Sequence, residues 1–259
     1  MKFNERQRPV ERPVEKIVER VVDVIGRAQN IVFVTGAGMS QESGIPTFRG
    51  NDGLWRSYDP MKLATIDAFW NDPKLVWEWY NERRQGMLAA KPNAGHYAVA
   101  KFEEYVDVTV LTQNIDGLHQ RAKSSHVLEL HGNIIRTRCT KCDFADKQAR
   151  ISSIPPMCKC GAILRPDVVW FGEELPQDVW QDAMIAACKC DIMIVVGTSL
   201  AVSPANTLPI YAQQNGAIII EVNPEETAMS EDIDYIIRDT AVGCLPGLVD
   251  TFGKLRSRF

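Results

Sequence analysis

Residues 31–49 read IVFVTGAGMSQESGIPTFR, and the fold turns on how this stretch is parsed. Residues 31–34 form a short apolar run, mostly β-branched, of the kind that makes a fully buried strand of a parallel sheet. Gly36, Ala37 and Gly38 follow at once, then Ser40, with a helical start after them. Strand, glycine turn and helix N-terminus together make an anion site. Glycine lets the backbone approach a pyrophosphate, and free N–H groups point at it. The spacing G-x-G-x-x-G is not completed, because Gln41 stands at its last position. Taken alone, the turn therefore reads equally well as a tight connection between any strand and helix. Gly44, Ile45, Pro46, Thr47, Phe48 and Arg49 go further. An aromatic next to an arginine just past a phosphate turn predicts a loop that closes over a bound cofactor.

The elements on either side set the fold class. Residues 1–12 read as a polar arm. Val14, Ile17, Val18, Val21, Val22 and Ile25 recur at helical period over residues 14–28. Residues 51–59, with Gly53, Trp55 and Tyr58, read as the end of the cofactor loop. Helices are predicted over 65–69 and 72–90, the second capped by Asn71 or Asp72 with Pro73 in its first turn. A helix over 94–104 leads to a strand at 108–111, and a short strand at 127–130 delivers His131 and Gly132. Residues 139–161 form a cysteine module and 165–174 an extended return. A helix at 177–187 precedes a buried strand at 192–196 that ends in Gly197, Thr198 and Ser199. A helix at 204–214, strands at 217–222 and 235–237, and a closing helix at 245–252 complete the chain. Strands alternating with helices predict an α/β fold, a doubly wound parallel Rossmann-like sheet. Two stretches break the alternation, a helical module at 50–92 and the cysteine module at 134–166. Both are assigned to a smaller domain, leaving 13–49, 93–133 and 167–259 to the Rossmann-like domain, with a substrate cleft between the two.

Composition narrows the function classes. A chain of 259 residues, 45% apolar, is one large domain or one domain with an inserted module. The net charge of −4 argues against a general nucleic-acid binder, while leaving room for a basic substrate such as a lysine-rich tail. No apolar run reaches membrane-spanning length. The opening MKFNERQRPVERPVEKIVER has no apolar core for a secretory signal, and its glutamates argue against a mitochondrial transit peptide. Seven cysteines, an odd number with four at metal spacing, point to a reducing cytoplasm rather than a disulfide framework.

Three groups of residues carry chemistry. Fifteen residues separate the pair Cys139 and Cys142 from the pair Cys158 and Cys160. Two close pairs at that gap suit a tetrahedral four-cysteine zinc site, which leaves no open position for water and is therefore structural. Cys188 and Cys190, where a helix runs into a buried strand, read as core, as does Cys244. Gln113, Asn114 and Asp116 follow a predicted strand, at the edge where open α/β sheets bind ligands. His131 reaches the same edge and reads as structural or catalytic. Tyr80 and Arg83 are three apart on one helix and share a face, which by itself is an ordinary solvated surface. His96, His119 and His126 have no comparable support as catalysts.

The motifs GAGMSQESGIPTFRG, TQNIDGLHQRA, ELHGN, the paired cysteines, VVWFGE, GTSLAVSPAN and EVNP occur in the order seen in sirtuins. The chain resembles that family of NAD-dependent protein lysine deacylases from about Asn30 to Leu248. The resemblance implies NAD with its pyrophosphate on Gly36, Ala37, Gly38 and Ser40, under the loop of Phe48 and Arg49. It implies that Gln113, Asn114, Ile115 and Asp116 receive the nicotinamide end. Gly197, Thr198, Ser199 and Asn223, with a loop at Ala241 and Val242, would hold the adenosine half. The acyl-lysine oxygen would attack the ribose C1′, nicotinamide would leave, and His131 would act as general base on a ribose hydroxyl. Asn114 would assist.

On the substrate side, Val169, Phe171, Gly172 and Glu173 would pair with the peptide as an added strand; the plainer reading is an edge strand. A Tyr-x-x-Arg on this helix marks the sirtuin branch that removes succinyl, malonyl or glutaryl groups, because a guanidinium grips the distal carboxylate. The implied partners are acylated-lysine proteins, and the implied groups are NAD and one structural zinc. Lys123 stands where the family commonly has glycine, at a cost of about 1 kcal/mol if the position is left-handed. An NAD-dependent oxidoreductase, a mono-ADP-ribosyltransferase on the same fold and a zinc-ribbon nucleic-acid module are the competing readings.

Overall fold

The computed structural model describes residues 14–47, 59–147 and 150–257. The expected polar arm, Phe48 and Arg49 of the cofactor loop, and Gly53, Trp55 and Tyr58 lie outside the described residues.

Six strands form one parallel sheet: β1 (Asn30–Thr35), β2 (Asp107–Thr112), β3 (Val127–Glu129), β7 (Ile192–Val196), β8 (Ile218–Val222) and β9 (Tyr235–Ile237), in the order β3-β2-β1-β7-β8-β9. This is the doubly wound order, and its switch point lies between β1 and β7. The β-branched runs read from the sequence are strands because both their faces are covered. Ile192, Ile194 and Val196 of β7, with Ile31 and Phe33 of β1, pack on helices α1 (Val14–Ile25), α4 (Ala94–Phe102) and α8 (Ala241–Arg256). The alternate residues Met193, Val195, Val32 and Val34 pack on α6 (Gln177–Lys189) and α7 (Leu208–Gln214). The side-chain period of two thus feeds two core layers from one strand.

A second, antiparallel sheet holds β4 (Gly132–Cys139), β5 (Ala145–Asp146) and β6 (Leu164–Val168), ordered β5-β4-β6. It shares a third core with helices α2 (Ile66–Asn71) and α3 (Pro73–Ala89), where Phe69, Val76, Trp77, Tyr80, Ile134, Leu164 and Trp170 meet. Thr65 caps α2 and Asp72 caps α3, with Pro73 next to that cap. The second sheet takes in Gly132 and Asn133 at one end and Asp167 and Val168 at the other, a little beyond the predicted module.

The structure corrects two boundaries. The last helix begins at Ala241, not residue 245, so Ala241 and Val242 open a helix capped by Thr240 rather than sit on a loop. Pro246 lies inside this helix, past its first turn, where it has no N–H to give the Val242 carbonyl. The predicted extended return at 165–174 ends at Val168. Beyond it Gly172 is left-handed (φ 84°) and the Glu173 N–H closes a turn on the Trp170 carbonyl. Lys123 does adopt the left-handed conformation (φ 79°) that its position suggested. Among the described residues, no helix is long and apolar enough to cross a membrane.

Candidate active site

A crevice of about 540 Å³ opens at the C-terminal ends of β1, β2, β7 and β8. One end is lined by Gly36, Ala37, Gly38, Thr198, Ser199 and Asn223, the middle by Gln113, Asn114, Ile115 and His131, and the far end by Tyr80, Arg83 and residues 168–173. Residues from seven separate stretches of sequence therefore face one space. Ser40 and Asp116 lie just beneath it, buried. Ala241 and Val242 are not among the lining residues, although the adjoining Thr240 is.

The glycine turn is built differently from the expectation of free amides. The Gly36 N–H donates to the Val196 carbonyl (3.0 Å) and the Gly38 N–H to the Gly197 carbonyl (2.8 Å). The Met39 and Ser40 amides are spent on Gly36 and Ala37. A Cβ on Gly38 would lie 2.8 Å from the Gly197 Cα. Here glycine serves the close approach of two strand ends as much as that of a ligand. The Ala37 amide is the turn's remaining donor to the crevice among the described residues.

Below the turn runs a buried polar network. The Ser40 hydroxyl donates to Asp116 Oδ2 (2.7 Å) and accepts from Asn114 Nδ2 (3.2 Å), which also donates to the Gly36 carbonyl (2.9 Å). Asp116 also takes the amide of Leu118 (2.8 Å), where the short helix α5 (Leu118–Arg121) begins. Burial raises the Asp116 pKa above the usual carboxylate value, against these bonds from Leu118 and Ser40 that pull it down. Thr35 donates to Thr112 (2.9 Å), so its contact with His119 Nε2 (3.0 Å) places the His119 proton on Nε2. The His96 and His119 rings lie 4.9 Å apart. Burial depresses both, to about 4 and about 3, so both are neutral near pH 7. From the sequence, neither histidine has support as a catalyst, and for His119, in the motif DGLH, packing is the first expectation and support of the nicotinamide pocket the second. A signal was available in Asn93-x-x-His96 after a proline, which the structure shows as a capping box on α4.

Near the Asn223 end of the crevice, Glu221 of β8 is 0% exposed. It accepts from Thr227 (2.5 Å), Ser230 (2.9 Å) and Arg238. Arg238 also donates to the Glu225 carbonyl (3.0 Å), which fixes the loop after Asn223 where it lines the crevice. This carboxylate, inside the EVNP motif, was also missed. A strand glutamate flanked by apolar residues was its signal.

His131 sits where β3 gives way to β4. Its Nδ1 is 3.0 Å from the Gln113 carbonyl, which makes Nδ1 the donor and leaves the lone pair on Nε2. Burial is the main cause holding its pKa below the ordinary value, and the Gln113 bond opposes it. The turn that carries it requires glycine at 132: φ is 76°, and a Cβ would lie 2.2 Å from the Asp167 carbonyl oxygen. Glu129 braces the same turn, accepting from Asn133 (2.6 Å) and Arg136 (2.6 Å).

At the far end, Tyr80 and Arg83 share one face of α3 and both line the crevice. Tyr80 Oη accepts from the Trp170 indole (3.0 Å). Burial pushes the Tyr80 pKa up to about 12 and lowers that of Arg83 to about 10, so near neutrality one is a neutral phenol and the other a cation. The edge at residues 169–173 has few free donors. The Val169 amide goes to the His131 carbonyl and that of Phe171 to Ala64, while the Trp170 amide goes to Glu173. The Glu173 carboxylate is further bound by both Arg165 nitrogens (2.6 and 2.7 Å), so its role is to hold this loop.

The Sγ atoms of Cys139, Cys142, Cys158 and Cys160 lie within 4.8 Å of one another. The 139–160 and 142–158 separations are 3.5 and 3.7 Å. A tetrahedron with Zn–S bonds of about 2.3 Å has edges of about 3.8 Å, so the four thiols fit one zinc. Cys190, buried with its Sγ on the Ala187 carbonyl (3.2 Å), belongs to the core as expected.

The pattern of the Sir2 family matches residues 36–204. An NAD-dependent protein deacylase 1 of Caldanaerobacter subterraneus subsp. tengcongensis is 56% identical over 215 residues, 82% of this chain and 89% of that protein. The NAD-dependent protein deacylase of Aquifex aeolicus is 49% identical over 234 residues, 89% of this chain and 97% of that one. Among solved structures, a Sir2 homologue–NAD complex superposes with a TM-score of 0.87 at 44% identity, covering 92% of this chain and 94% of that one. A variant Sir2 homologue with ADP-ribose gives 0.89 at 44% identity, covering 92% and 98%. The chain belongs to the Sir2 family.

Proposed function

We propose that this protein is an NAD-dependent protein lysine deacylase whose acyl pocket also accepts succinyl and malonyl chains. The observation that carries the reading is the position of His131. Its free Nε2 stands midway along one crevice, between the glycine-turn end and the Tyr80 and Arg83 end. NAD, when bound, supplies a ribose that loses nicotinamide and receives the acyl group. Ala37, Thr198, Ser199 and Asn223 are assigned to the adenosine and pyrophosphate portions, and Asn114, Ile115 and Asp116 to the nicotinamide end. His131 takes a proton at Nε2 while Gln113 keeps the ring in that tautomer. The domain division at 13–49, 93–133 and 167–259 against 50–92 and 134–166 belongs to the same reading, as does a cytoplasmic setting, which suits a site of four thiolates. The deciding experiment is mass spectrometry of the products from NAD and a panel of acyl-lysine peptides. Free lysine, nicotinamide and O-acyl-ADP-ribose are expected. Protein labelled with ADP-ribose, or reduced NAD, would refute the reading.

The acyl preference has its own test. A succinyl chain brings a carboxylate to the Arg83 guanidinium, and a charge-assisted bond of that kind contributes roughly 1.5–3 kcal/mol. Arg83→Met is expected to lower kcat/KM on a succinyl peptide by about ten- to a hundredfold relative to its acetyl counterpart. Equal losses on both peptides would assign Arg83 to holding the helix instead.

A further inference from the structure

Tyr80 Oη accepts the Trp170 indole N–H at 3.0 Å. An indole can only donate, and a phenol has one proton. The Tyr80 proton therefore cannot point toward Trp170. Among the described residues it is given to no protein acceptor. Both side chains line the crevice.

Trp170 is itself held from several sides. The Arg165 guanidinium lies 3.5 Å from its ring centroid, and the Phe69 ring is 5.1 Å away. Glu173 accepts two bonds from Arg165 and one, at 2.8 Å, from the Trp170 backbone amide. The indole is 2% exposed. It has no room to turn away and release the phenol.

We infer that Trp170 is a specificity-positioning residue: its N–H fills the acceptor side of the Tyr80 hydroxyl and commits the phenol proton to the crevice, where it meets an acceptor at the distal end of the acyl chain. This rests on the acyl reading above, in which that end carries a carboxylate. A carboxylate is acceptor-only and uses such a proton, whereas an acetyl methyl cannot. The burial that keeps Tyr80 protonated supports the same role. The Arg165 and Glu173 pair acts one step further out, by clamping Trp170.

The test uses the full chain with ¹⁵N-labelled tryptophan. Of the six indole signals, that of Trp170 is the one lost in Trp170→Phe. In Tyr80→Phe, which keeps the ring and removes the acceptor, the Trp170 indole proton is expected to shift upfield. On peptides, Trp170→Phe should lower the succinyl-to-acetyl ratio of kcat/KM by about three- to tenfold, and by nothing further in a Tyr80→Phe background. An indole signal indifferent to Tyr80→Phe overturns the inference even where desuccinylation is strong. Equal losses on both peptides, or a full additional loss in the double variant, reduce Trp170 to packing and overturn it too. An indole that responds in a parent enzyme that removes acetyl alone sinks the acyl reading, and the assigned role falls with it.

Discussion

Replacing His131 with alanine is expected to lower kcat/KM by roughly 10²–10⁴-fold, the range for loss of a positioned general base. The zinc content and melting temperature should stay at parental values. The ring contributes one hydrogen bond to the fold, from Nδ1 to the Gln113 carbonyl, and that carbonyl lines an open crevice where water replaces the donor. The pH profile of the parent gives a second check. A base works unprotonated, and burial holds the His131 pKa below its usual 6.5. Activity should therefore be level through neutrality and fall only as the pH drops below that value. An acid limb centred above 6.5, or an alanine variant within a few-fold of the parent, would remove His131 from the mechanism.

Much of this site was legible because each part comes directly after a buried strand. Residues 31–34, 108–111 and 192–196 are apolar enough to be placed without a structure, and the residues just past each strand's C-terminal end must lie at the crevice. Gln113, Asn114, His131, Thr198 and Asn223 meet there for that reason. The illegible parts depend on contacts far apart in sequence. Nothing near Gly38 says that Gly197 will lie against it, so the turn's amides looked free when they are largely taken. Glu221 shows in the sequence only as a charge within an apolar strand; its partners Arg238, Thr227 and Ser230 are known from the fold. Residues 169–173 alternate like a strand, but the ion pair of Arg165 with Glu173 folds them into a turn. The four cysteines were readable for the opposite reason. Their spacing within the chain is the signal, whatever the rest of the fold does.

Stripping the metal with a strong chelator is expected to release one zinc per chain, unfold the smaller sheet and abolish deacylation. Residues 140–163 have little core of their own: among those described, Pro156 and Cys158 alone are buried. β5 is two residues long, and β4 and β6 shift register between Asn133 and Thr137. The cysteines tie together the end of β4, the turn before β5 and the segment that leads into β6. Four ligands fill the metal's coordination sphere, so its binding energy is folding energy for this stretch, about 10–16 kcal/mol in isolated zinc fingers. Loss should spread along β6, because Trp77 donates to the Leu164 carbonyl (2.7 Å) and Trp170 lies in the same core. It should stop at the parallel sheet, whose two core layers contain none of the four cysteines. Hydrogen exchange reads this directly: amides of β4 and β6 lose protection on chelation while those of β7 keep it. Serine at Cys142 or Cys160, the two exposed ligands, should do the same without a chelator. Zinc retained in those variants but lost on changing Cys188 or Cys190 would place the metal elsewhere. Unchanged exchange along β4 in zinc-free protein would mean that the sheet stands without it.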